Sequence, residues 1–152
     1  MVPVPIGSVL RRKGSGLWWV APEASVYEAI AIMAEKSIGA LPVIADGRLV
    51  GMMSERDYAR KVALQSRSSR DTRVREIMAT PVVSATPDQT VEECLRTMTV
   101  RRIRHLPVVD QGQVVGIVSI GDLVRQVVST QSEIIQQLQE YISGRSFVHP
   151  VP

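Results

Sequence analysis

Apolar positions along the chain fall into two matching blocks. After Pro22, Val26, Ile30 and Met33 recur at helical spacing, and after Pro87 so do Val91, Leu95 and Met98. That is the pattern of an amphipathic helix with one buried face. Each helix start carries a hydroxyl three residues ahead of a glutamate, Ser25 with Glu28 and Thr90 with Glu93. The spacing lets hydroxyl and carboxylate satisfy free backbone N–H groups at a helix N-terminus. Two short aliphatic runs follow, 41–44 and 49–53 around Asp46-Gly47, then 106–109 and 114–118 around Gly112. Such runs flanking a glycine turn predict one β-hairpin per block. A second helix is expected from Ser54 and from Ser119. Ahead of each block stands a predicted short strand, 17–20 or 82–85, led by a helical turn at 9–12 or 74–78.

The blocks are copies of one another. Shifted by 65 residues, positions 22–62 align with 87–127 without a gap, and 15 of the 41 pairs are identical, far above the chance level of average composition. The expected fold class is α+β (mixed α/β): two βαββα repeats, 6–66 and 72–130, about a pseudo-twofold axis. They are expected to bury their faces against each other in a single core. Residues 67–71 are polar and turn-rich and read as a linker. Beyond the second copy, Ile134, Ile135, Leu138 and Tyr141/Ile142 share one face. This predicts a C-terminal amphipathic helix over 131–143, packed on the body or on another chain, with a flexible tail over 144–152.

Composition removes several function classes. The 152 residues include one cysteine, Cys94, and two histidines, His105 and His149. A disulfide within the chain and a thiolate zinc site are therefore excluded, and no metal site is expected. Cys94 aligns with Ala29 on the apolar side of its helix and reads as core, as do Met33 and Met98. Aromatics make up only 4%, which points to an aliphatic core and disfavours a base-stacking surface. The net charge is +3, and the arginines are scattered over different elements, so nucleic acid is not the expected partner. No run nears the roughly 18 apolar residues of a membrane span. Arg11, Arg12 and Lys13 follow the apolar N-terminus instead of preceding it, the wrong order for a signal peptide. The reading is a soluble protein of a reducing compartment, the cytoplasm.

Both copies carry Leu-Pro-Val and then Gly-hydrophobic-hydrophobic-Ser-x-x-Asp, as Gly51 to Asp57 and Gly116 to Asp122. With these marks the chain resembles the tandem CBS-domain pair, or Bateman module, in its small stand-alone form. The resemblance covers roughly residues 6 to 130. It implies a regulatory module that binds an adenosine-bearing nucleotide between the repeats and modulates a partner protein. AMP comes first among the ligands, with ATP, ADP, NAD and S-adenosylmethionine as further members of the class. It also implies a homodimer of pairs, and no covalent cofactor.

By resemblance, Ser54/Asp57 and Ser119/Asp122 would hold sugar and phosphate. Ile38, Gly39 and Ala40, with Ile103, Arg104 and His105, would line the adenine and phosphate ends. Thr80 and Val83 are the other expected adenine contacts. The physics is consistent: a serine opening a helix faces unpaired N–H groups and the positive end of the helix dipole, and an ionised aspartate offers two acceptor oxygens to a ribose diol. The same Ser-x-x-Asp spacing is also a capping-box variant that needs no ligand. Gly51 and Gly116 are expected to let a ligand approach the backbone. Where the copies differ, Arg104 and His105 replace Gly39 and Ala40, and Gly121 replaces Arg56. The clefts are therefore expected to be inequivalent, with Arg56, Arg104 and His105 on phosphate; the competing reading is a solvated surface run of Arg101, Arg102 and Arg104 with His105 as a plain strand-end residue. One of Trp18 and Trp19 is expected near a cleft or on a dimer surface.

No Ser/His/Asp constellation can be argued for, so catalysis is not expected. The competing readings are a nucleic-acid-binding protein and a dimerisation scaffold without ligand.

Overall fold

A computed structural model describes residues 3–14 and 16–143; the predicted tail, with His149, lies outside them. The elements run α1 (Ile6–Lys13), α2 (Val26–Lys36), β1 (Ala40–Ala45), β2 (Arg48–Ser54), α3 (Glu55–Lys61), a 3₁₀ turn (Ala63–Gln65), α4 (Val74–Ile77), α5 (Val91–Arg101), β3 (His105–Asp110), β4 (Gln113–Ser119) and α6 (Ile120–Ile142). The mixed α+β class and its duplication are as expected.

Local chemistry accounts for most of these boundaries. Ser25 accepts the Glu28 N–H at 3.1 Å, and Thr90 and Glu93 form a complete capping box. Both β-hairpins turn on two residues of positive φ, Asp46-Gly47 (51°, 75°) and Gln111-Gly112 (52°, 78°). That is the type I′ geometry whose twist matches the flanking strands. Helices α2 and α5 each stop on a left-handed residue, Ser37 and Arg102, which turns the chain within two residues into the following strand.

Three expectations are corrected. The predicted strands at 17–20 and 82–85 reduce to single parallel bridges, Val20 with Val43 and Ala85 with Val108, so the sheets are two-stranded hairpins, β1-β2 and β3-β4. The helix expected to begin at 131 is instead the second half of α6, a continuous 23-residue helix. Neither Gly nor Pro interrupts residues 122–142, so nothing ends the helix there.

The third correction concerns the core, which is double. One cluster joins Val20, Val26, Ala29, Met33, Leu41, Val43 and Met53 to Val74 and Ile77 of α4. The other joins Val91, Cys94, Met98, Leu106, Val108, Val118 and Leu123 to Ile6 and Val9 of α1. Each leading helix thus completes the core of the opposite copy. Backbone bonds fix this exchange: Ile6 N–H donates to Gln89 O at 2.7 Å and Val74 N–H to Ala24 O at 2.8 Å. The segment at 67–71 is tied down by the same crossing, since Tyr27 N–H donates to Ser69 O and Val26 N–H to Thr72 O.

Cys94 is buried, and burial pushes its thiol up to about 11, so it stays protonated and inert. Among the described residues no helix is long and apolar enough to cross a membrane.

Candidate functional site

The crossed arrangement creates two clefts related by the repeat. Each has one copy's Ser-x-x-Asp on one wall and the other copy's helix-to-strand turn on the other. Ser54 and Asp57 face Arg102, Ile103, Arg104 and His105 across a cleft of about 390 Å³, which Arg56 and Arg60 also line. Ser119 and Asp122 face Ser37, Ile38, Gly39 and Ala40 across a cleft of about 480 Å³, closed by Lys13, Trp18 and Arg125. Both volumes suit a small organic ligand. The three basic residues singled out by comparing copies, Arg56, Arg104 and His105, therefore meet in one cleft.

In each cleft the aspartate is first a cap. Asp57 Oδ2 accepts the Ser54 N–H at 2.9 Å and its hydroxyl at 3.0 Å, while Ser54 Oγ accepts the Asp57 N–H. Asp122 Oδ2 accepts the Ser119 N–H at 2.8 Å, and Ser119 Oγ accepts the Asp122 N–H at 3.1 Å. The surroundings then diverge. Asp122 is held by Lys13 at 2.9 Å and by Arg125 at 2.7 Å. Burial pushes its carboxyl up, but the Ser119 and Lys13 bonds outweigh this and hold it below the ordinary carboxylate range. Asp57 has only Lys61, at 3.3 Å.

Charge balance separates the clefts. Around Ser119 and Asp122, both cations lining the cleft are spent on Asp122. Around Ser54 and Asp57, the guanidinium groups of Arg56, Arg60, Arg102 and Arg104 have no ion-pair partner among the described residues. Four free cations against Glu55 and Asp57 leave this arginine cleft with a surplus of positive charge. Such a surplus favours an anion through charge-assisted hydrogen bonds.

His105 belongs to both clefts. Its ring atoms lie 3.1 Å from where a Cβ on Gly39 would stand, so the glycine makes room for the imidazole. Burial lowers the His105 pKa, Lys13 and Arg104 lower it further, and Asp122 opposes them. The ring is accordingly neutral at pH 7.

Other expectations fall elsewhere. Thr80 and Val83 are not among the residues lining either cleft; Ala79 is, and Val83 packs on the second core. Gly51 and Gly116 serve helix packing: a Cβ on Gly51 would meet Met78 Sδ at 2.5 Å and one on Gly116 would meet Leu10 Cδ2 at 2.7 Å. Trp18 lines the cleft of Ser119, with the Lys36 ammonium 4.2 Å from its ring centroid. Arg60 and Arg125 were missed although they are identical in the two copies and stand one helical turn past each aspartate. Lys13 had no such signal, because its counterpart is Met78.

Fold and clefts define a class first: a tandem α+β repeat protein with two pseudo-equivalent ligand-sized clefts between its halves. The CBS domain profile matches residues 10–64 and 74–129, and the chain belongs to the CBS domain family. It is 40% identical over 148 residues to the CBS domain-containing protein CBSX3, mitochondrial, of Arabidopsis thaliana, covering 91% of this chain and 72% of that one. A putative signal-transduction protein with CBS domains from Burkholderia ambifaria superposes with a TM-score of 0.80 at 46% identity, covering 84% of this chain and 96% of that one. The CBS domain pair of protein MJ0100, solved with 5′-methylthioadenosine and S-adenosyl-L-methionine, superposes with a TM-score of 0.75 at 27% identity, covering 85% and 99%.

Proposed function

We infer that this protein is a regulatory module that binds an adenosine-bearing nucleotide between its repeats and transmits occupancy to a partner protein. The observation that carries this reading is the arginine cleft, where Arg56, Arg60, Arg102, Arg104 and His105 converge beside Ser54 and Asp57. A helix N-terminus, an acceptor-only carboxylate and unpaired guanidinium groups match the three parts of a nucleotide: phosphate, ribose diol and further phosphate oxygens. The adenosine ligands in the MJ0100 structure support the same class. AMP is the first ligand to try, then ADP, ATP, NAD and S-adenosylmethionine.

Ligand binding changes a partner only if the ligand's affinity differs between two conformations. The exchanged helices α1 and α4 offer such a coupling, since each is held by the opposite copy. The protein is read as non-enzymatic, as a homodimer of pairs, and as a resident of the reducing cytoplasm, with no covalent cofactor.

The test is a thermal-shift panel of AMP, ADP, ATP and NAD, with the phosphate-free S-adenosylmethionine and adenosine, at low and high salt. A ligand at 100 times its Kd adds about 2.7 kcal/mol to the native state. The expected result is a shift with phosphate-bearing ligands that Asp57→Ala and Arg104→Ala both reduce. A flat response to all six would replace nucleotide sensing with a scaffold role. A salt-sensitive gel shift with DNA or RNA would replace it with nucleic-acid binding.

A further inference from the structure

The second half of α6 is polar enough to be an ordinary surface helix, yet its apolar residues follow a stricter rule than amphipathicity requires. Val124, Val128, Gln131, Ile135, Leu138 and Ile142 are separated by alternating steps of four and three. This is the heptad period, with Val128, Ile135 and Ile142 at one core position and Val124, Gln131 and Leu138 at the other. The stripe is not the face that α6 uses inside the protein. That face carries Leu123 and Val127, roughly a quarter turn round the helix. Val124, Val128, Ile135 and Leu138 are 48–55% exposed and Ile142 is 82% exposed. From Gln131 to Gln139 every residue is exposed. A projecting helix of this length is marginal in water without a partner.

We propose that this stripe is the seam of a parallel, in-register, two-stranded coiled coil with a second copy of the chain. Three observations select that occupant. β-branched residues at the first core position, with Leu138 at the other, are the two-stranded parallel preference. The charged residues between Gln126 and Ile142 are Glu133 and Glu140, both on the outer side of the helix, so two copies meet without like-charge repulsion. Gln131 is the one polar member of the stripe. In a parallel, in-register pair it meets its own counterpart and the two amides bond across the axis; in an antiparallel pair or against an apolar helix it meets hydrocarbon. Two such stripes, flanked by Ile134, hide on the order of 1,000–1,500 Å² in total, which reaches the size of a stable interface. The proposal rests on the homodimer reading above and assigns it a surface and an orientation.

The test uses the full chain in sedimentation velocity, with Ile135→Glu/Leu138→Glu as the disrupting variant and Glu133→Lys as the control. The expected result is a dimer for the parent and the control, with dimer affinity at least 100-fold weaker in the disrupting variant. Because both replaced residues are exposed within one copy, cooperative melting is retained. Gln131→Cys should form a 131–131′ disulfide under mild oxidation, since Cys94 is buried. A dimer that survives the double substitution would overturn this surface while leaving the homodimer reading intact. A parent that stays monomeric at high concentration would overturn both. Failure of Gln131→Cys to cross-link in an intact dimer would overturn the parallel register.

Discussion

Lys13, the last residue of α1, places its ammonium 2.9 Å from the Asp122 carboxylate and 2.9 Å from the Ile117 carbonyl oxygen. Two residues 109 apart in sequence thus clasp the first copy's leading helix onto the second copy's cleft. The cap that starts α6, the exchange of α1 and the electrostatics of one ligand wall meet at this pair.

Lys13→Met, which installs the counterpart from the other copy, should cost about 0.5–1 kcal/mol at neutral pH. The Lys13 side chain is 41% exposed, so water screens the pair and the larger figures for buried pairs do not apply. Asp122 titrates below the ordinary range in the fold. Its contribution is therefore present above about pH 4 and is lost as pH falls through the lowered value. The stability gap between parent and variant should close on acidification, as read by urea unfolding from pH 7 to 2.5. A gap that stays constant would show that the ion pair stabilises nothing.

Gly116→Ala should destabilise by about 1–3 kcal/mol through overpacking against Leu10. Gly51→Ala should cost at least as much, because the facing Met78 atoms run from Sδ at 2.5 Å back to Cβ at 3.2 Å, too near the backbone to swing clear. Combining Gly116→Ala with Leu10→Ala should recover part of the loss, a non-additivity that a double-mutant cycle measures. Strict additivity would mean that Leu10 is not the obstacle.

His105 is kept neutral by burial first, then by Lys13 and Arg104. A histidine whose folded pKa is depressed supports stability above its unfolded value of about 6.5 and loses it as pH falls through the lowered one. Unfolding measured between pH 7.5 and 5 should show this loss in the parent and a flatter profile in His105→Ala, the residue at the equivalent position of the first copy. Parallel profiles would remove His105 as the titrating group.

Arg56→Ala and Arg104→Ala should each weaken AMP binding by about tenfold or more, since a hydrogen bond to a charged group is worth about 1.5–3 kcal/mol. Adenosine, lacking phosphate, should be nearly indifferent. Calorimetry with both ligands makes the comparison, and equal losses for the two would move phosphate out of the arginine cleft.

Much of the lining of the two candidate clefts is legible in the chain. Ser54, Asp57, Ser119 and Asp122 were found by their repetition, and the caps they form depend on residues only three apart. Arg56, Arg104 and His105 were found because the copies differ there, and the structure gathers them in one cleft. Arg60 and Arg125 were equally legible as a repeated pair but lie one turn beyond the motif. After α4 the chain touches the arginine cleft at Ala79 and then turns away, so Thr80 and Val83 do not line it and Val83 packs on the second core.

Periodicity, capping and turn chemistry were determined by the sequence alone, because each depends on contacts within a few residues: the duplicated helices, both hairpins, their type I′ turns and the capped starts of α3 and α6. The crossing of the copies was decided only by the tertiary structure. Ile6 and Val9 are apolar wherever they pack, and nothing local says that they complete the core of Cys94 and Leu106 in preference to that of Met33 and Leu41. That choice sets which turn faces which aspartate. It puts Lys13 on Asp122, leaves four arginines around the Ser54 cleft without an ion-pair partner among the described residues, and makes two clefts of unlike charge from one repeated motif.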